Sequence, residues 1–110
     1  MDCLFCRIAA KEISAAVRYE DDRVLAFDDI HPQSPTHVLV IPKRHVAALH
    51  EVDDDALAGA LVWAVRAIVA DAGIAQTGYR VVTNAGEHGG QEVAHLHLHI
   101  LGGRQLGAMG

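Results

Sequence analysis

The stretch His95-Leu96-His97-Leu98-His99-Ile100-Leu101 alternates three imidazoles with aliphatic side chains near the C-terminal end of the 110-residue chain. Successive side chains of a β-strand point to opposite faces, so this period of two predicts one strand with a histidine face and an apolar face. At about 3.3 Å rise per residue the three rings would stand roughly 6–7 Å apart. The aliphatic residues 96, 98 and 100 would then face the core.

The histidine face leaves three interpretations open: a polar strand face, part of a metal site, or a nucleophile with neighbours that orient it and bind an anion. The upstream segment Asn84-Ala85-Gly86-Glu87-His88-Gly89-Gly90-Gln91-Glu92 favours the third. A glycine-rich loop lets backbone amides approach a phosphate closely. A phosphate beside three histidines indicates attack on phosphorus.

Together these motifs resemble the histidine triad (HIT) superfamily, specifically its HINT branch of bacterial-type nucleoside phosphoramidases. Asn84, the Gly89-Gly90-Gln91 turn, the histidine triplet and Gly102-Gly103-Arg104 carry the resemblance. Further segments are similar to family segments that occur in the same order, namely residues 3–8, 20–23, 29–33 and 35–43. The resemblance therefore covers nearly the whole chain.

The resemblance implies an α+β fold in which residues 1–110 form a single HIT domain. The sheet would be antiparallel with about five strands, accompanied by one long helix and a short N-terminal helix. It also implies a homodimer that binds a purine nucleoside monophosphate or phosphoramidate of the AMP or GMP type. No cofactor would be required for catalysis.

For the reaction, the resemblance implies that His97 attacks the α-phosphorus of a nucleoside phosphoramidate and forms a covalent nucleotidyl-histidine. His99 would bind the phosphate, while His95 and His37 would hold the His97 ring, which would donate its other N–H to a main-chain carbonyl. Asp29 would bind the ribose and Ile30 the base. The full set of expected nucleotide contacts is Asp29, Ile30, Asn84, Gly90, Gln91, Glu92, His97 and His99.

Glu92 stands where eukaryotic HINT proteins commonly have a small hydroxyl residue, whereas bacterial relatives often have Glu. Its role stays open among a proton relay, an amine-binding group and a side chain that points away. Two rival functions also stay open. One is a dinucleotide-polyphosphate hydrolase of the same superfamily, and the other is a non-enzymatic nucleotide-binding or zinc-stabilised scaffold.

Cys3 and Cys6 are the only cysteines, and a Cys-x-x-Cys spacing is compatible with half a zinc site, a redox pair or two packed side chains. Without a thioredoxin-like context the redox interpretation is the weakest. In zinc-bearing relatives the matching positions are Cys3, Cys6, His45 and His95. The resemblance thus implies a structural zinc, with plain packing as the alternative.

Periodicity along the chain predicts the remaining elements. Residues 2–10 have apolar side chains at helical spacing. Residues 17–20 and 23–28 are predicted to form a hairpin around Asp21-Asp22. Two more strands are predicted, an apolar central strand at 36–42 and another strand at 79–83. Residues 56–72 form the long helix, with Asp53-Asp54-Asp55 at its start and Gly73 at its end. Its apolar stripe, which Ala60 and Trp63 widen, is broader than a small sheet requires. One excess face indicates a dimer seam, with simple core burial as the alternative, and the residues of the stripe are Leu57, Ala60, Leu61, Trp63, Ala64, Val65, Ile68 and Val69.

The composition limits the classes of partner. A formal net charge of −5 argues against a general nucleic-acid binder, which needs an excess of Lys and Arg. The N-terminal residues do not resemble a cleavable signal, and no apolar run reaches membrane-spanning length. We therefore expect a cytoplasmic protein that associates with neither nucleic acid nor membrane.

Overall fold

A five-stranded antiparallel sheet forms the centre of the computed structural model, which describes residues 3–109. The strand order is β1-β2-β3-β5-β4. A short helix α1, a single 3₁₀ turn at Leu49–Glu51 and a long helix α2 complete the described chain. The bounds are α1 Leu4–Ala9, β1 Val17–Glu20, β2 Val24–Asp28, β3 Thr36–Pro42, α2 Asp55–Ala72, β4 Tyr79–Val82 and β5 Leu98–Gly102. The predicted α+β architecture is confirmed, although residue 2 of the predicted first helix lies outside the described range.

Strand β3 is buried on both faces, as its uninterrupted apolar run predicts. Val38 and Val40 join the core beneath α2, whereas Leu39 and Ile41 join a second cluster that includes α1. Strand β2 divides its side chains between the same two clusters. The central strands therefore separate a helix-covered face from a face that can carry a site.

Helix α2 begins and ends as the sequence predicts. The Asp54 carboxylate accepts the Ala56 N–H at 3.0 Å, and Gly73 ends the helix in the left-handed conformation at φ 70°. Apart from Trp63, the residues of the apolar stripe lie in or pack against this chain's own core, because α2 packs across β1, β2 and β3. The apolar surface left over is Trp63 with its neighbour Val62, which are 60% and 67% exposed.

The histidine strand starts later than predicted, at Leu98 rather than His95. Strand β3 pairs with β5 from Thr36↔Gly102 to Val40↔Leu98. Continued in the same register, the ladder would pair Ile41 with His97 and then Pro42 with Leu96. Pro42 has no N–H for the ladder, and its carbonyl accepts a hydrogen bond from the His95 ring instead. The predicted alternation persists beyond the ladder, because residues 96, 98 and 100 are all buried in the cluster beneath α2.

Within residues 3–109, none of the helices combines the length and apolarity that crossing a membrane requires.

Candidate active site

A cavity of about 470 Å³ opens on the sheet face opposite α2. Residues of α1, β2 and β3 supply apolar wall, while the loop after β2, the glycine-rich loop and the histidine strand supply polar groups. Of the predicted nucleotide contacts, all except Gln91 line this cavity: Asp29, Ile30, Asn84, Gly90, Glu92, His97 and His99. The fold therefore brings together segments that are far apart in sequence.

The His97 ring is held in one tautomer by the backbone. Its Nδ1 lies 2.7 Å from the carbonyl oxygen of His95, and a carbonyl can only accept, so Nδ1 carries the proton. Nε2 is then the unprotonated nitrogen. The Phe5 ring packs edge-on against His97 with centroids 5.0 Å apart, and the Thr83 hydroxyl donates to the His97 carbonyl at 2.9 Å. The predicted bond from this ring to a main-chain carbonyl is confirmed.

A second chain of hydrogen bonds determines the tautomer of His99. The backbone N–H of Gln33 donates to His37 Nδ1 at 3.0 Å, so His37 carries its proton on Nε2. That Nε2 lies 2.9 Å from His99 Nδ1 and donates to it, which leaves the His99 proton on Nε2. His99 is therefore a hydrogen-bond donor at the cavity, whereas His97 is an acceptor.

His37 contacts His99 rather than His97, so its expected support of the His97 ring is indirect. Leu39 faces His99 across the β3–β5 ladder, and His37 is the diagonal neighbour on the same face. His97 and His99 themselves have ring centroids 5.1 Å apart, closer than a regular strand predicts. The ring contacts of His99 with His37 and with His97 therefore link these three histidines into one cluster.

Burial keeps His37 and His99 neutral. Desolvation is the main cause that lowers the pKa of both rings, and for His99 the neighbouring His97 and His37 lower it further. Asp29 opposes this effect, since one carboxylate oxygen lies 3.4 Å from His37 Nε2 while the other accepts the His31 N–H at 2.8 Å. Two neutral imidazoles with fixed tautomers result.

The Asp29, His37 and His99 donor atoms also lie within 4.8 Å of one another, a spacing that a metal ion could bridge. His37 cannot serve as a ligand there in its neutral form. Its Nδ1 accepts a backbone N–H, so its Nε2 carries a proton and has no free lone pair. The Asp29, His37 and His99 side chains are therefore linked by hydrogen bonding through the His37 Nε2–H and not arranged as metal ligands.

The four predicted metal ligands do come together: the donor atoms of Cys3, Cys6, His45 and His95 all lie within 4.8 Å of one another. His95 Nδ1 lies 3.3 Å from the Cys3 sulfur and 3.5 Å from the Cys6 sulfur, and His45 Nδ1 lies 3.2 Å from the Cys6 sulfur. Tetrahedral zinc with Zn–S near 2.3 Å and Zn–N near 2.0 Å separates such ligands by roughly 3.5 Å.

The tautomer of His95 also suits a metal. Its Nε2 donates to the Pro42 carbonyl at 2.9 Å, which leaves Nδ1 unprotonated and directed at both cysteine sulfurs. Burial, together with the neighbouring Cys3, raises the pKa of the Cys6 thiol in the metal-free chain. The cluster thus has the ligand types, spacing and lone pairs of a metal site.

Gln91 is the one expected nucleotide contact outside the cavity lining. Its amide nitrogen donates to the carbonyls of Ala47 at 2.6 Å and Val93 at 3.0 Å, and its oxygen accepts the Gly86 N–H at 2.9 Å. Both side-chain donors are therefore taken. The Gln91 side chain thus anchors the glycine-rich loop.

The rest of this loop is also held from within. The Gly90 N–H donates to the Glu87 carbonyl, and the Asn84 amide donates to the Gly89 carbonyl at 2.7 Å. Gly90 has φ 76°, and a side chain on Gly89 would collide with main-chain atoms of Ala85, so both positions require glycine. The loop presents Asn84, Gly90 and Glu92 to the cavity.

Sequence reasoning did not identify two contributors to the site. Phe5 was visible only as an apolar helix residue, yet its ring packs against both His95 and His97. The backbone N–H of Gln33 sets the tautomer of His37. The Phe5 role has no local sequence signal, because it depends on contacts with residues about ninety positions away. The Gln33 bond is local, but a backbone N–H carries no side-chain signature in the sequence.

A sheet that presents this histidine cluster to a nucleotide-sized cavity defines a histidine triad protein. The chain belongs to the HIT domain family, whose model matches residues 10–106. The resemblance drawn from the motifs is therefore confirmed.

Known relatives cover nearly the whole chain. The chain is 42% identical over 110 residues to the purine nucleoside phosphoramidase of Escherichia coli K12, covering 98% of this chain and 92% of that protein. It is 50% identical over 107 residues to a HIT-like protein of Synechococcus elongatus, covering 96% and 93%.

Solved structures share the fold closely. A histidine triad protein from Clostridium difficile matches with a TM-score of 0.93 and 46% identity, covering 100% of this chain and 97% of that one. A HIT family hydrolase from Legionella pneumophila matches with a TM-score of 0.90 and 49% identity, covering 94% and 95%.

Proposed function

We propose that this protein hydrolyses purine nucleoside phosphoramidates through a covalent nucleotidyl-histidine on His97. The hydrogen bond from His97 Nδ1 to the His95 carbonyl carries the proposal, because it holds the ring in the tautomer with a nucleophilic Nε2. The 42% identity to a purine nucleoside phosphoramidase supports the substrate class.

In the first step the His97 Nε2 lone pair attacks the α-phosphorus, an N–P bond forms and the P–N bond to the leaving group breaks. The departing nitrogen takes up one proton from water and leaves as an amine. The His99 Nε2–H donates a hydrogen bond to a phosphoryl oxygen, with Asn84 alongside, and stabilises the developing charge. His37 keeps His99 in the donor tautomer.

In the second step a water molecule attacks phosphorus on the opposite side from His97. The P–N bond to the ring breaks, the nucleoside monophosphate leaves, and the proton lost by water returns to solvent. The sum is one phosphoramidate and one water converted to one monophosphate and one amine. Binding energy from the nucleoside holds the phosphorus in line, with the Asp29 carboxylate at the ribose hydroxyls and Ile30 against the base.

The two rivals are separated from this proposal in different ways, one by the charges of the cavity and the other by experiment. A dinucleotide polyphosphate carries several negative charges, yet no lysine or arginine is among the described residues that line the cavity, so this substrate is disfavoured. A scaffold protein would bind nucleotide without reacting. Rapid mixing of enzyme with a radiolabelled adenosine phosphoramidate should yield an acid-labile protein adduct within one turnover. Tight nucleotide binding with no adduct would contradict the enzyme.

We further propose that Cys3, Cys6, His45 and His95 hold a structural zinc ion. Bound zinc would supply a cross-link between the N-terminal helix, the segment after β3 and the histidine strand. The short sulfur–nitrogen distances and the free lone pair on His95 Nδ1 support this assignment. The residues that carry out the reaction do not depend on the ion for a chemical step.

We also propose that residues 1–110 form one domain of a cytoplasmic homodimer. Two exposed apolar regions support a self-association surface. One is Val62 and Trp63 on α2, and the other is Tyr79 and Val81 on the edge strand β4, at 48% and 42% exposed. A two-fold contact through either would pack helices together or extend the sheet.

A further inference from the structure

The charges around the cavity are unusual for a protein that binds a phosphate ester. Three carboxylates line the cavity, and the described lining residues include neither lysine nor arginine. Asp28 pairs with Arg18 at 2.9 Å, and Asp29 accepts a backbone N–H and faces His37. Glu92 is exposed and has no hydrogen bond or ion pair within the described chain. Of the three carboxylates, Glu92 is therefore the one without a partner among the described residues.

The backbone at Glu92 is held firmly although its side chain is free. The preceding Gln91 anchors the loop through its amide, which also bonds to the carbonyl of Val93. Val93 packs against the core cluster that contains Phe5. Glu92 is thus a carboxylate on a fixed backbone position, in the same loop segment that brings Asn84 and Gly90 to the cavity.

We propose that Glu92 selects the leaving group and that the preferred substrates are purine nucleoside phosphoramidates whose amine arm carries a positive charge. This inference rests on the proposed phosphoramidase function. The apolar wall and Ile30 suit the base, so the arm attached to phosphorus leaves along the polar wall where Glu92 stands. A free carboxylate there attracts a cationic arm and repels an anionic one.

The test uses three adenosine 5′-phosphoramidates with linear arms of equal length that end in an ammonium, a hydroxyl or a carboxylate group. Each exposed charge pair changes a binding or rate constant by about two- to fivefold. The ammonium arm gains one attraction where the carboxylate arm meets one repulsion, so kcat/KM for the ammonium arm should exceed that for the carboxylate arm by about tenfold. Glu92→Gln keeps the shape and removes the charge, and should reduce this ratio to about twofold or less. Glu87→Gln is the matched control, since Glu87 is an exposed acid of the same loop outside the cavity lining, and it should keep the wild-type ratio.

Salt provides an independent readout that a structural role for Glu92 would not produce. The Debye length falls from about 10 Å at 0.1 M to about 3 Å at 1 M ionic strength, so the wild-type ratio should shrink over this range and the Glu92→Gln ratio should not. An ammonium-to-carboxylate ratio that is the same in wild type and Glu92→Gln would overturn the inference and leave the phosphoramidase function standing. Wild-type protein that hydrolyses none of the three arms would overturn both.

Discussion

His97 donates its Nδ1–H to the carbonyl oxygen of His95, and the ring of the same His95 directs Nδ1 at Cys3 and Cys6. One residue therefore serves two sites: its main chain orients the proposed nucleophile and its side chain joins the proposed zinc cluster. Because the Pro42 carbonyl accepts the His95 Nε2–H and leaves Nδ1 unprotonated, neither role requires the ring to change tautomer.

Replacing His97 with alanine or glycine should abolish turnover, because the covalent intermediate loses its attacking atom. We expect kcat to fall by about a thousandfold or more, while the circular dichroism spectrum stays native. His88→Ala is the matched control, since His88 is an exposed histidine of the glycine-rich loop outside the cavity lining. A His97 variant that retained a tenth of wild-type kcat would show that another group is the nucleophile.

Removing zinc should lower the melting temperature more than the rate measured where the protein remains folded. The four proposed ligands lie on three separate segments, so bound metal stabilises the folded state over the unfolded one. Metal analysis of protein purified without chelators should give one zinc per chain, and Cys6→Ser should lose it. Protein that contained no zinc under these conditions would rule out the proposed ligand set.

Lowering the pH should reduce stability through the buried His37 and His99. Burial lowers the pKa of both rings in the folded state, so the unfolded chain binds protons first as the pH falls below about 6.5. Their contribution is thus fully present above that pH and lost on acidification. Urea unfolding at pH 7.5 and pH 5.5 measures the loss.

The matched variant for this pH effect is His37→Gln, whose amide can accept the Gln33 N–H and donate to His99 without titrating. Its stability should fall less on acidification than that of wild type. The Cys/His cluster is common to both proteins, so its own pH dependence cancels in the comparison. Equal losses in the two proteins would show that His37 does not contribute.

Association should depend on the exposed apolar residues and not on the buried stripe. Trp63 is 60% exposed and its ring stacks with the Arg66 guanidinium at 4.8 Å, so Trp63→Asp should weaken the dimer without unfolding the chain. Leu61 is 3% exposed, and Leu61→Asp should destabilise the fold itself by about 3 kcal/mol or more. Light scattering and thermal unfolding over a dilution series check both. Wild type that stayed monomeric at micromolar concentration, with an unshifted melting temperature, would refute the dimer.

Two differences between expectation and structure have a common origin. The resemblance implies that His37 holds the His97 ring, yet the His37 ring donates to His99. It also implies that Gln91 contacts the nucleotide, yet the Gln91 side chain donates to the Ala47 carbonyl. In each case a partner distant in sequence determines the contact that the residue makes.

Local sequence determined the elements and their faces. Alternation placed Val24 and Ala26 opposite Leu25 and Phe27, and Asp54 and Gly73 bounded α2, because these effects act over one to four residues. Only the tertiary structure decided which nitrogen of His95 and of His99 carries its proton. That choice depends on the Pro42 carbonyl, 53 residues from His95, and on the His37 ring, 62 residues from His99. The antiparallel packing of β3 against β5 and the bend before β5 bring these partners within hydrogen-bond distance. A hydrogen bond requires contact at about 3 Å, and no spacing of residue types specifies contact between atoms dozens of residues apart.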